Sequence, residues 1–304
     1  MSTAAEQAGE KDARAELTLC VFTPTYNRAY ILQQLYDSLV AQTSRDFYWM
    51  ICDDGSQDDT AELVEKFCAE GLVDIDYFRV ENGGKQRAIN YGVERCPCEL
   101  FCCIDSDDYL VPTAVQDIIE AWAPLRADQS IVGLLALRGT DADTPLTTWI
   151  PEGVTRVKMW DLSEKYGITG DLTLVHRTSV LREYPYDVAP GEKFVAESSV
   201  FFLLDEKYDM YTLNKVLTIC HYLPDGYTNN FFSIAKNNPI GYYKHKRYCA
   251  ARSQTLKSEA RETTLYLVGC QLAHKKGAVR EAPNVPLAAL CYLPSVVARY
   301  TLFR

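Results

Sequence analysis

The amino-acid sequence predicts an α/β fold, a mostly parallel sheet with helices on both faces, followed by a helical C-terminal extension. Short apolar runs of strand length alternate with segments whose apolar residues recur at helical spacing, which is typical of β-α-β units. A polar cluster follows each of the first four strand-like runs. Ligands of parallel α/β sheets bind beyond the carboxyl ends of the strands, so we expect these four clusters to form one site.

Four strands and three helices are expected in the first part of the chain. The strands are predicted over residues 17–23, 47–52, 75–80 and 100–104. Helical periodicity starts at Ile31 in the first intervening segment and covers residues 85–94 in the third. The second helix is expected to begin near Ser56 or Asp58, because either side chain can cap it.

Beyond Asp108 the regular alternation ends. A helix is predicted over residues 115–122 and strands over 131–137, 171–175 and 211–222. Residues 141–148 are polar and contain a proline, which predicts a loop. The apolar run 285–293 is followed by Pro294, which we expect to break it. That run is too short to span a bilayer but long enough to lie on one.

The chain length and net charge limit the classes of function that this protein can have. The chain has 304 residues, of which 47% are hydrophobic, enough for one large domain with an appendage. Residues 1–16 are polar and lack the apolar stretch of a secretory signal, so we expect a disordered leader. The formal charge of −10 argues against a nucleic-acid partner, which would require a basic surface.

The 11 cysteines are odd in number and show no regular framework. Several lie inside apolar runs, which fits reduced, buried thiols in a cytosolic protein. Four of them cluster in sequence, at Cys96, Cys98, Cys102 and Cys103, but without the usual C-x₂-C spacing. We therefore do not expect a structural zinc site there.

Three carboxylates end the fourth strand, at Asp105, Asp107 and Asp108. Unpaired charges are costly away from water, so this cluster belongs at a strand end rather than in a core. Hard oxygen ligands of this kind hold Mg²⁺ or Mn²⁺, and the metal in turn binds a diphosphate. The alternative is an acidic turn that caps the next helix.

Two further clusters supply complementary chemistry. Asp53 and Asp54 can accept hydrogen bonds from a nucleobase or from ribose hydroxyls, or alternatively cap the following helix. Lys85 and Arg87 follow two glycines at a helix start, a setting that suits phosphate, although a solvated helix face is the alternative. The glycines fit neither the G-x-G-x-x-G spacing nor the P-loop pattern.

Four segments occur in family-like order and spacing: TPTYNR at 23–28, DDGSQDDT at 53–60, NGGKQRAINYG at 82–92 and DSDDYL at 105–110. Together they resemble family 2 of the glycosyltransferases, in particular members that build bacterial polysaccharides. The resemblance covers about the first 120 residues. It implies the Rossmann-like GT-A fold, a nucleotide-diphospho-sugar donor (UDP-linked), a divalent metal and inversion at the anomeric carbon.

The resemblance also implies roles for single residues. The base and ribose would be held by Thr23, Pro24, Tyr26, Asp53 and Asp54. The diphosphate and sugar would lie near Asn82, Lys85, Arg87 and Asn90, and Asp105 and Ser106 complete the donor-binding set. Asp105 and Asp107 would be the metal-linked D-x-D pair, with Asp107 favoured as direct ligand and Asp108 as helper.

The same resemblance divides the chain. Residues 17–230 would form the glycosyltransferase domain, with a donor half at 17–120 and an acceptor half at 121–230. Residues 231–304 would form the C-terminal helical extension.

An inverting transfer needs a base that takes the proton of the acceptor hydroxyl. The family supplies it from an acid at a helix start in this part of the chain, and Glu197 precedes an apolar helical run. A helix N-terminus also favours a carboxylate. Glu192 is the competing candidate, and a capping role is the alternative for both.

Two features of the second half remain open between a functional and a structural interpretation. His221 is a candidate metal ligand from outside the D-x-D pair, or a core histidine. Residues 242–248 interleave tyrosines with cations, which fits contact with an anionic membrane surface or an ordinary solvated helix face.

The sequence thus predicts a cytoplasmic inverting glycosyltransferase, peripheral on the inner face of the plasma membrane. Its partners would be a nucleotide-sugar donor and a saccharide or lipid-diphosphate-saccharide acceptor in surface or capsular polysaccharide synthesis. Assembly with identical chains is left open. The alternatives are a sugar nucleotidyltransferase and a catalytically inactive nucleotide-sugar-binding protein. The first should have a glycine-rich initial loop, and Pro24–Arg28 contains no glycine.

Overall fold

The structure, a computed structural model, describes residues 13–221 and 231–303. The chain divides into two compact units. The first, here called the sheet unit, comprises Met1–Pro185 and Val200–His221, and the second, the helical unit, comprises Tyr186–Ser199 and Tyr222–Arg304. The helical unit therefore includes residues 186–199, which the sequence analysis assigns to the acceptor half.

Within the described residues, ten strands form one sheet. Their bounds are β1 Leu19–Thr25, β2 Phe47–Asp53, β3 Ile75–Arg79, β4 Leu100–Cys103, β5 Tyr109–Leu110, β6 Ile131–Asp141, β7 Thr144–Pro145, β8 Arg156–Val157, β9 Leu172–Arg177 and β10 Asp209–Ile219. The main order is β3-β2-β1-β4-β9-β6-β10-β5, with β7 paired to β6 and β8 to β10. All five strands predicted by periodicity before residue 140 are present.

The sheet has a parallel part and a mixed part. Strand β1 lies parallel between β2 and β4, and β3 lies parallel to β2, so the carboxyl ends of these four strands share one edge. Strand β9 then runs antiparallel to both β4 and β6. The predicted parallel sheet is thus confined to β1–β4 and the β6–β10 pair.

In the part of the chain that the structure describes, seven α-helices lie between the strands in sequence. Their bounds are α1 Leu32–Val40, α2 Thr60–Glu70, α3 Lys85–Arg95, α4 Ala114–Trp122, α5 Asp161–Tyr166, α6 Thr178–Leu181 and α7 Ser198–Leu204. Helix α3 packs on β1 and β2. A Cβ at Gly92 would lie 2.3 Å from the ring of the fully buried Phe22, so only glycine allows this close approach. That approach holds the second half of α3 against β1.

Aromatic side chains fill the core between α1, α2 and the sheet. The rings of Tyr36 and Phe67 stack with centroids 4.0 Å apart, and Trp49 lies 6.1 Å from Phe67. All three are at least 98% buried. Large buried rings contribute strongly to stability, so this cluster is a rigid support for the loops after β1 and β2.

Arg14, near the start of the described residues, is held by ion pairs. Arg14 forms ion pairs with Asp74 at 2.6 Å and Asp76 at 3.1 Å, beside β3. The disordered leader predicted over residues 1–16 therefore does not include Arg14. Residues 1–12 lie outside the described residues.

The helical unit contains four helices in the described residues: α8 Phe231–Asn237, α9 Pro239–Arg252, α10 Leu256–Leu272 and α11 Val285–Leu302. Helix α11 packs on α10, and its Ala288 and Cys291 share a buried cluster with Tyr266 and Leu267. The prediction that Pro294 breaks the apolar run is wrong, because Pro294 lies inside α11. Buried residues on both sides of the proline hold the helix together across the lost hydrogen bond.

Candidate active site

The loops that follow β1 and β2 are bonded to each other. The backbone N–H of Asn27 donates to Ser56 Oγ at 2.8 Å, and Asn27 Oδ1 accepts from the N–H of Gln57 at 2.7 Å. Asp58 Oδ2 accepts from the N–H of Ala29 at 3.0 Å. Three side chain–backbone hydrogen bonds therefore hold together two strand ends that were predicted to be neighbours.

Asp54 joins the second loop to the third. Its two carboxylate oxygens accept the backbone N–H groups of Gly83 at 2.7 Å and Gly84 at 2.8 Å. Asn82 Nδ2 donates back to the carbonyl of Asp54 at 2.8 Å. Asp54 is thus not the cap of the helix that follows it; it fixes the loop that leads into α3.

Asp53 is fully buried, and both of its carboxylate oxygens have partners within the protein. Oδ1 accepts the backbone N–H of Ser56 at 2.7 Å, and Oδ2 accepts the hydroxyl of Tyr77 at 2.7 Å. Burial and the hydrogen bond to Asp53 raise the pKa of Tyr77. Asp53 therefore fixes the conformation of the second loop, and this role does not depend on a bound ligand.

The third and fourth clusters meet through ion pairs. Lys85 Nζ lies 2.6 Å from Asp105 Oδ1. Arg138, near the end of β6, lies 3.5 Å from Asp105 Oδ2 and 2.5 Å from Asp108 Oδ2. Burial alone would raise the pKa of Asp105, but the charges of Lys85 and Arg138 outweigh it and lower that pKa to about 2. Asp105 is therefore ionised.

Arg138 was not among the residues that the sequence analysis selected. The sequence signal for Arg138 was its position directly after the apolar run 131–137. A charge in a buried strand needs a partner of opposite charge. Its partners were not predictable, because they depend on β9 separating β4 from β6.

The pKa values of the other two acids of the cluster are raised. Burial raises the pKa of Asp108 to about 6, with Asp105 adding to the shift and Arg138 opposing it. Burial and the neighbouring charge of Asp105 also raise the pKa of Asp107. The charge of Asp105 adds to the raised pKa of both neighbouring acids, so an added cation would lower the electrostatic free energy of the ionised cluster.

The remaining predicted donor-binding residues lie in or directly after β1, in the loop before α3, in α3 itself and after β4. Thr23 is buried and its Oγ1 accepts from Trp49 Nε1 at 2.9 Å. Arg87 donates to the carbonyl of Gly83 at 2.7 Å. The other members span the range from buried to exposed: Pro24 and Ser106 are buried, Asn82 and Asn90 are half-buried, and Tyr26 is 45% exposed.

No group of three His, Cys, Asp or Glu side chains among the described residues is arranged to hold a metal ion by itself. His221 is exposed just beyond β10, with its ring centroid 6.2 Å from that of Tyr109. Tyr109 comes two residues after Asp107, so His221 lies near the acidic segment. A metal at this site would take Asp105 and Asp107 as oxygen ligands and its other ligands from a bound molecule or solvent.

The two candidate bases belong to the helical unit and differ in their surroundings. Glu192 is buried, and its carboxylate accepts the backbone N–H groups of Ile240 at 2.6 Å and Gly241 at 2.8 Å. It therefore caps the first turn of α9, the structural alternative considered above. Glu197 is half-buried and directly precedes α7.

Comparison with known proteins decides the family. Residues 20–182 match the family described as glycosyl transferase family 2, which is more than half of the chain. The chain belongs to this family. The prediction from the four segments is confirmed, and the matched range contains all the donor-site residues named above.

One similar sequence is the poly(ribitol-phosphate) β-N-acetylglucosaminyltransferase TarS of Staphylococcus aureus, 26% identical over 183 residues. The match covers 60% of this family 2 chain and 31% of TarS. The chain therefore spans less than a third of that curated relative.

Two solved structures resemble the fold of this family 2 protein. Residues 1–349 of S. aureus TarS, in complex with UDP-GlcNAc, align with a TM-score of 0.57 at 15% identity, covering 94% of this chain and 91% of the other. The mannosyltransferase PcManGT from Pyrobaculum calidifontis, in complex with GDP-Man and Mn²⁺, aligns with a TM-score of 0.55 at 16% identity, covering 99% and 89%. The likeness shows the fold, and the predicted GT-A fold is confirmed.

Proposed function

We propose that this family 2 protein is an inverting glycosyltransferase that uses a nucleotide-diphospho-sugar, UDP-linked, as donor. The acceptor would be a saccharide or a lipid-linked saccharide in surface or capsular polysaccharide synthesis. The observation that carries the proposal is the network from Asn27 through Asp54 and Lys85 to Asp105, which joins all four predicted clusters at one sheet edge.

The donor fits the chemistry of that edge. TarS was solved with UDP-GlcNAc, which supports a UDP-linked donor for a family member of the same fold. The exposed ring of Tyr26 offers a flat surface next to the buried acid pair. Lys85 and Arg87, at the start of α3, supply positive charge for the diphosphate, and the helix N-terminus adds to it.

A divalent metal, Mn²⁺ or Mg²⁺, is part of the proposal. Asp105 and Asp107 would hold it, with Asp108 and His221 as further candidates. Such ions are often bound by one or two carboxylates together with substrate phosphates, so a site with two protein ligands fits the residues present. The metal would neutralise charge that develops on the leaving nucleoside diphosphate.

Lys85 and Arg138 would stabilise the same charge from the protein side. Both are already oriented by the acids of the cluster, so little reorganisation is needed when the donor binds. Arg138 also keeps the buried carboxyl of Asp108 partly compensated.

Glu197 is the proposed base that accepts the proton of the acceptor hydroxyl. The cap formed by Glu192 supports this choice, because both oxygens of Glu192 are already bonded to the backbone of α9. Glu197 directly precedes a helix, which gives it a rigid support.

Release of UDP from UDP-sugars tests the proposal, with and without Mn²⁺ and with EDTA as chelator. We expect metal-dependent UDP release that Asp107→Ala abolishes, while Asp143→Ala, an exposed acid outside the site, leaves it unchanged. If UDP release continued in the presence of EDTA and in the Asp107→Ala variant, the proposed role of a metal would be wrong. Pyrophosphate formation would indicate a nucleotidyltransferase, and donor binding without release would indicate a binding protein.

Glu197→Gln separates catalysis from binding. The amide keeps the shape of the side chain but cannot take a proton, so we expect UDP affinity within about twofold of wild type and a loss of transfer of at least about a hundredfold. Loss of UDP affinity would make Glu197 a binding residue instead.

The location follows from the acceptor. A lipid-linked saccharide lies at a membrane surface, so we propose a cytoplasmic protein that contacts the inner face of the plasma membrane peripherally. Assembly with a second copy of the chain remains compatible with this proposal.

A further inference from the structure

The C-terminal helices carry a charge opposite to the rest of the chain. Residues 231–304 contain 12 Lys and Arg but only 3 Asp and Glu, a formal charge of +9. Residues 1–230 have a formal charge of −19. Although the net charge of the chain is −10, residues 231–304 are strongly basic. A positive charge of this size attracts anionic lipids.

Helix α11, inside this basic segment, exposes an apolar stripe. Leu290, Leu293, Val297 and Tyr300 recur at helical spacing and are 77%, 74%, 63% and 64% exposed. Their spacing of three and four residues places them on one face of the helix. The helix contains no Asp or Glu, and its one charged residue is Arg299. An exposed apolar stripe of this length is unusual on a monomer surface without a partner.

The opposite face of α11 is already used. Ala288, Cys291 and Ser295 are buried, and Ser295 Oγ accepts from Gln271 of α10 at 2.7 Å. By length and composition alone α11 could cross a bilayer. A crossing helix would be surrounded by lipid, whereas this one is held along one side by α10, and the stripe carries its most exposed apolar side chains.

We propose that the stripe Leu290–Leu293–Val297–Tyr300 lies in the interface of an anionic lipid bilayer, with α11 parallel to the membrane plane. This deepens the proposed peripheral location, on which it rests, by assigning the surface that makes the contact. The four side chains enter the boundary between headgroups and acyl chains. Basic residues of the same segment, including the exposed Lys276 and Arg280 in the α10–α11 connection, bind the anionic headgroups.

Co-sedimentation of the full chain with vesicles tests this inference. The vesicles are phosphatidylcholine alone or phosphatidylcholine with 30–40% phosphatidylglycerol, at about 0.15 M salt. We expect binding to the anionic vesicles at least about tenfold tighter than to the neutral ones, weakening as salt rises. Equal binding to both kinds of vesicle, or none to either, would overturn the proposal.

Two variants assign the contact. Leu293→Glu places a charge in the stripe and should weaken binding to anionic vesicles at least about tenfold. Leu72→Glu makes the same change at an exposed leucine of the sheet unit and should bind like wild type. The double variant Lys276→Glu/Arg280→Glu tests how much basic side chains outside the stripe contribute to vesicle binding. It should bind anionic vesicles more weakly and with a smaller dependence on salt. Wild-type binding by Leu293→Glu would overturn the assignment.

The assay also separates this surface from other occupants and from the donor site. If sedimentation equilibrium shows a dimer that Leu293→Glu dissociates, the stripe belongs to a second copy of the chain and the proposal fails. Vesicle binding is measured without donor, so failure of the proposed sugar transfer would leave its result unaffected. Conversely, Leu293→Glu should keep wild-type UDP release with a soluble donor.

Discussion

The Nζ atom of Lys85 lies 2.6 Å from Asp105 Oδ1, and this ion pair joins the start of α3 to the end of β4. It connects two of the four clusters that follow the parallel strands. A donor diphosphate would compete with Asp105 for the ammonium group of Lys85. Arg138, at 3.5 Å from the other oxygen of Asp105, keeps that carboxylate compensated when Lys85 turns to a phosphate.

Replacing Lys85 by methionine should weaken UDP binding by at least about tenfold, because a charged hydrogen bond to phosphate is lost and Asp105 loses its nearest cation. Isothermal titration with UDP in the presence of Mn²⁺ measures the change. Lys66→Met, at an exposed position of α2, is the matched control. Unchanged affinity for UDP would mean that Lys85 only forms an ion pair with Asp105 and does not bind the diphosphate.

Asp54→Asn should lower the free energy of unfolding by about 1–3 kcal/mol. Aspartate accepts the N–H groups of Gly83 and Gly84 with its two oxygens, whereas asparagine has one acceptor and turns an amide N–H toward the other donor. Urea unfolding measures the difference. Asp59→Asn serves as control, because the exposed Asp59 makes no capping hydrogen bond to α2. Equal losses in both variants would contradict a bracing role for Asp54.

Glu192→Ala should open the first turn of α9, at a cost of about 1–2 kcal/mol, because two backbone N–H groups lose a charged acceptor at a helix N-terminus. Hydrogen exchange of the Ile240 and Gly241 amides reports this locally. Glu152→Ala, in an exposed loop of the sheet unit, should leave both amides protected. Unaltered exchange in Glu192→Ala would mean that the cap contributes nothing to the helix.

His176 makes stability depend on pH. Burial lowers its pKa to about 4, whereas an imidazole in an unfolded chain titrates near 6.5. Between about pH 6.5 and pH 4 the imidazole is therefore protonated in the unfolded protein but neutral in the folded protein. The free energy of unfolding decreases as pH falls from about 6.5 toward 4. Between pH 7 and pH 5 the loss from this group is about 2 kcal/mol.

His176→Phe should remove that part of the dependence while keeping the stacked packing on Phe201, whose ring centroid lies 5.4 Å away. Urea unfolding at pH 7 and pH 5 gives the comparison. The exposed His274 provides the control, and His274→Phe should retain the wild-type slope. A variant at position 176 with the wild-type slope would show that the histidine is not the source.

The parallel half of the fold and the adjacency of the four polar clusters were predictable from sequence because both depend on local patterns. Apolar runs define β1, β2, β3 and β4, and each ends at a polar cluster. Parallel pairing then brings the clusters to one edge without further information. The bonds that lock them together, such as Asp54 to Gly83, follow once the strand ends are adjacent.

The features that were missed depend on contacts between distant segments. Arg138 meets Asp108 only because β9 and β6 extend the sheet beyond β4. Pro294 is tolerated inside α11 because tertiary packing of Cys291 and Ser295 outweighs local propensity. The grouping of residues 186–199 with the C-terminal helices rests on bonds such as Glu192 to Gly241, between residues 49 positions apart in sequence.

The bonds among the four loops make their side chains interdependent. Asn27, Asp54 and Lys85 each satisfy a group that belongs to a different loop. Substitutions at these positions should therefore combine non-additively, with coupling energies of about 0.5–3 kcal/mol in double-mutant cycles. Transplanting one loop from another family member would leave unpaired acceptors and donors in its neighbours, so specificity can be redesigned here only by exchanging the loops as a set.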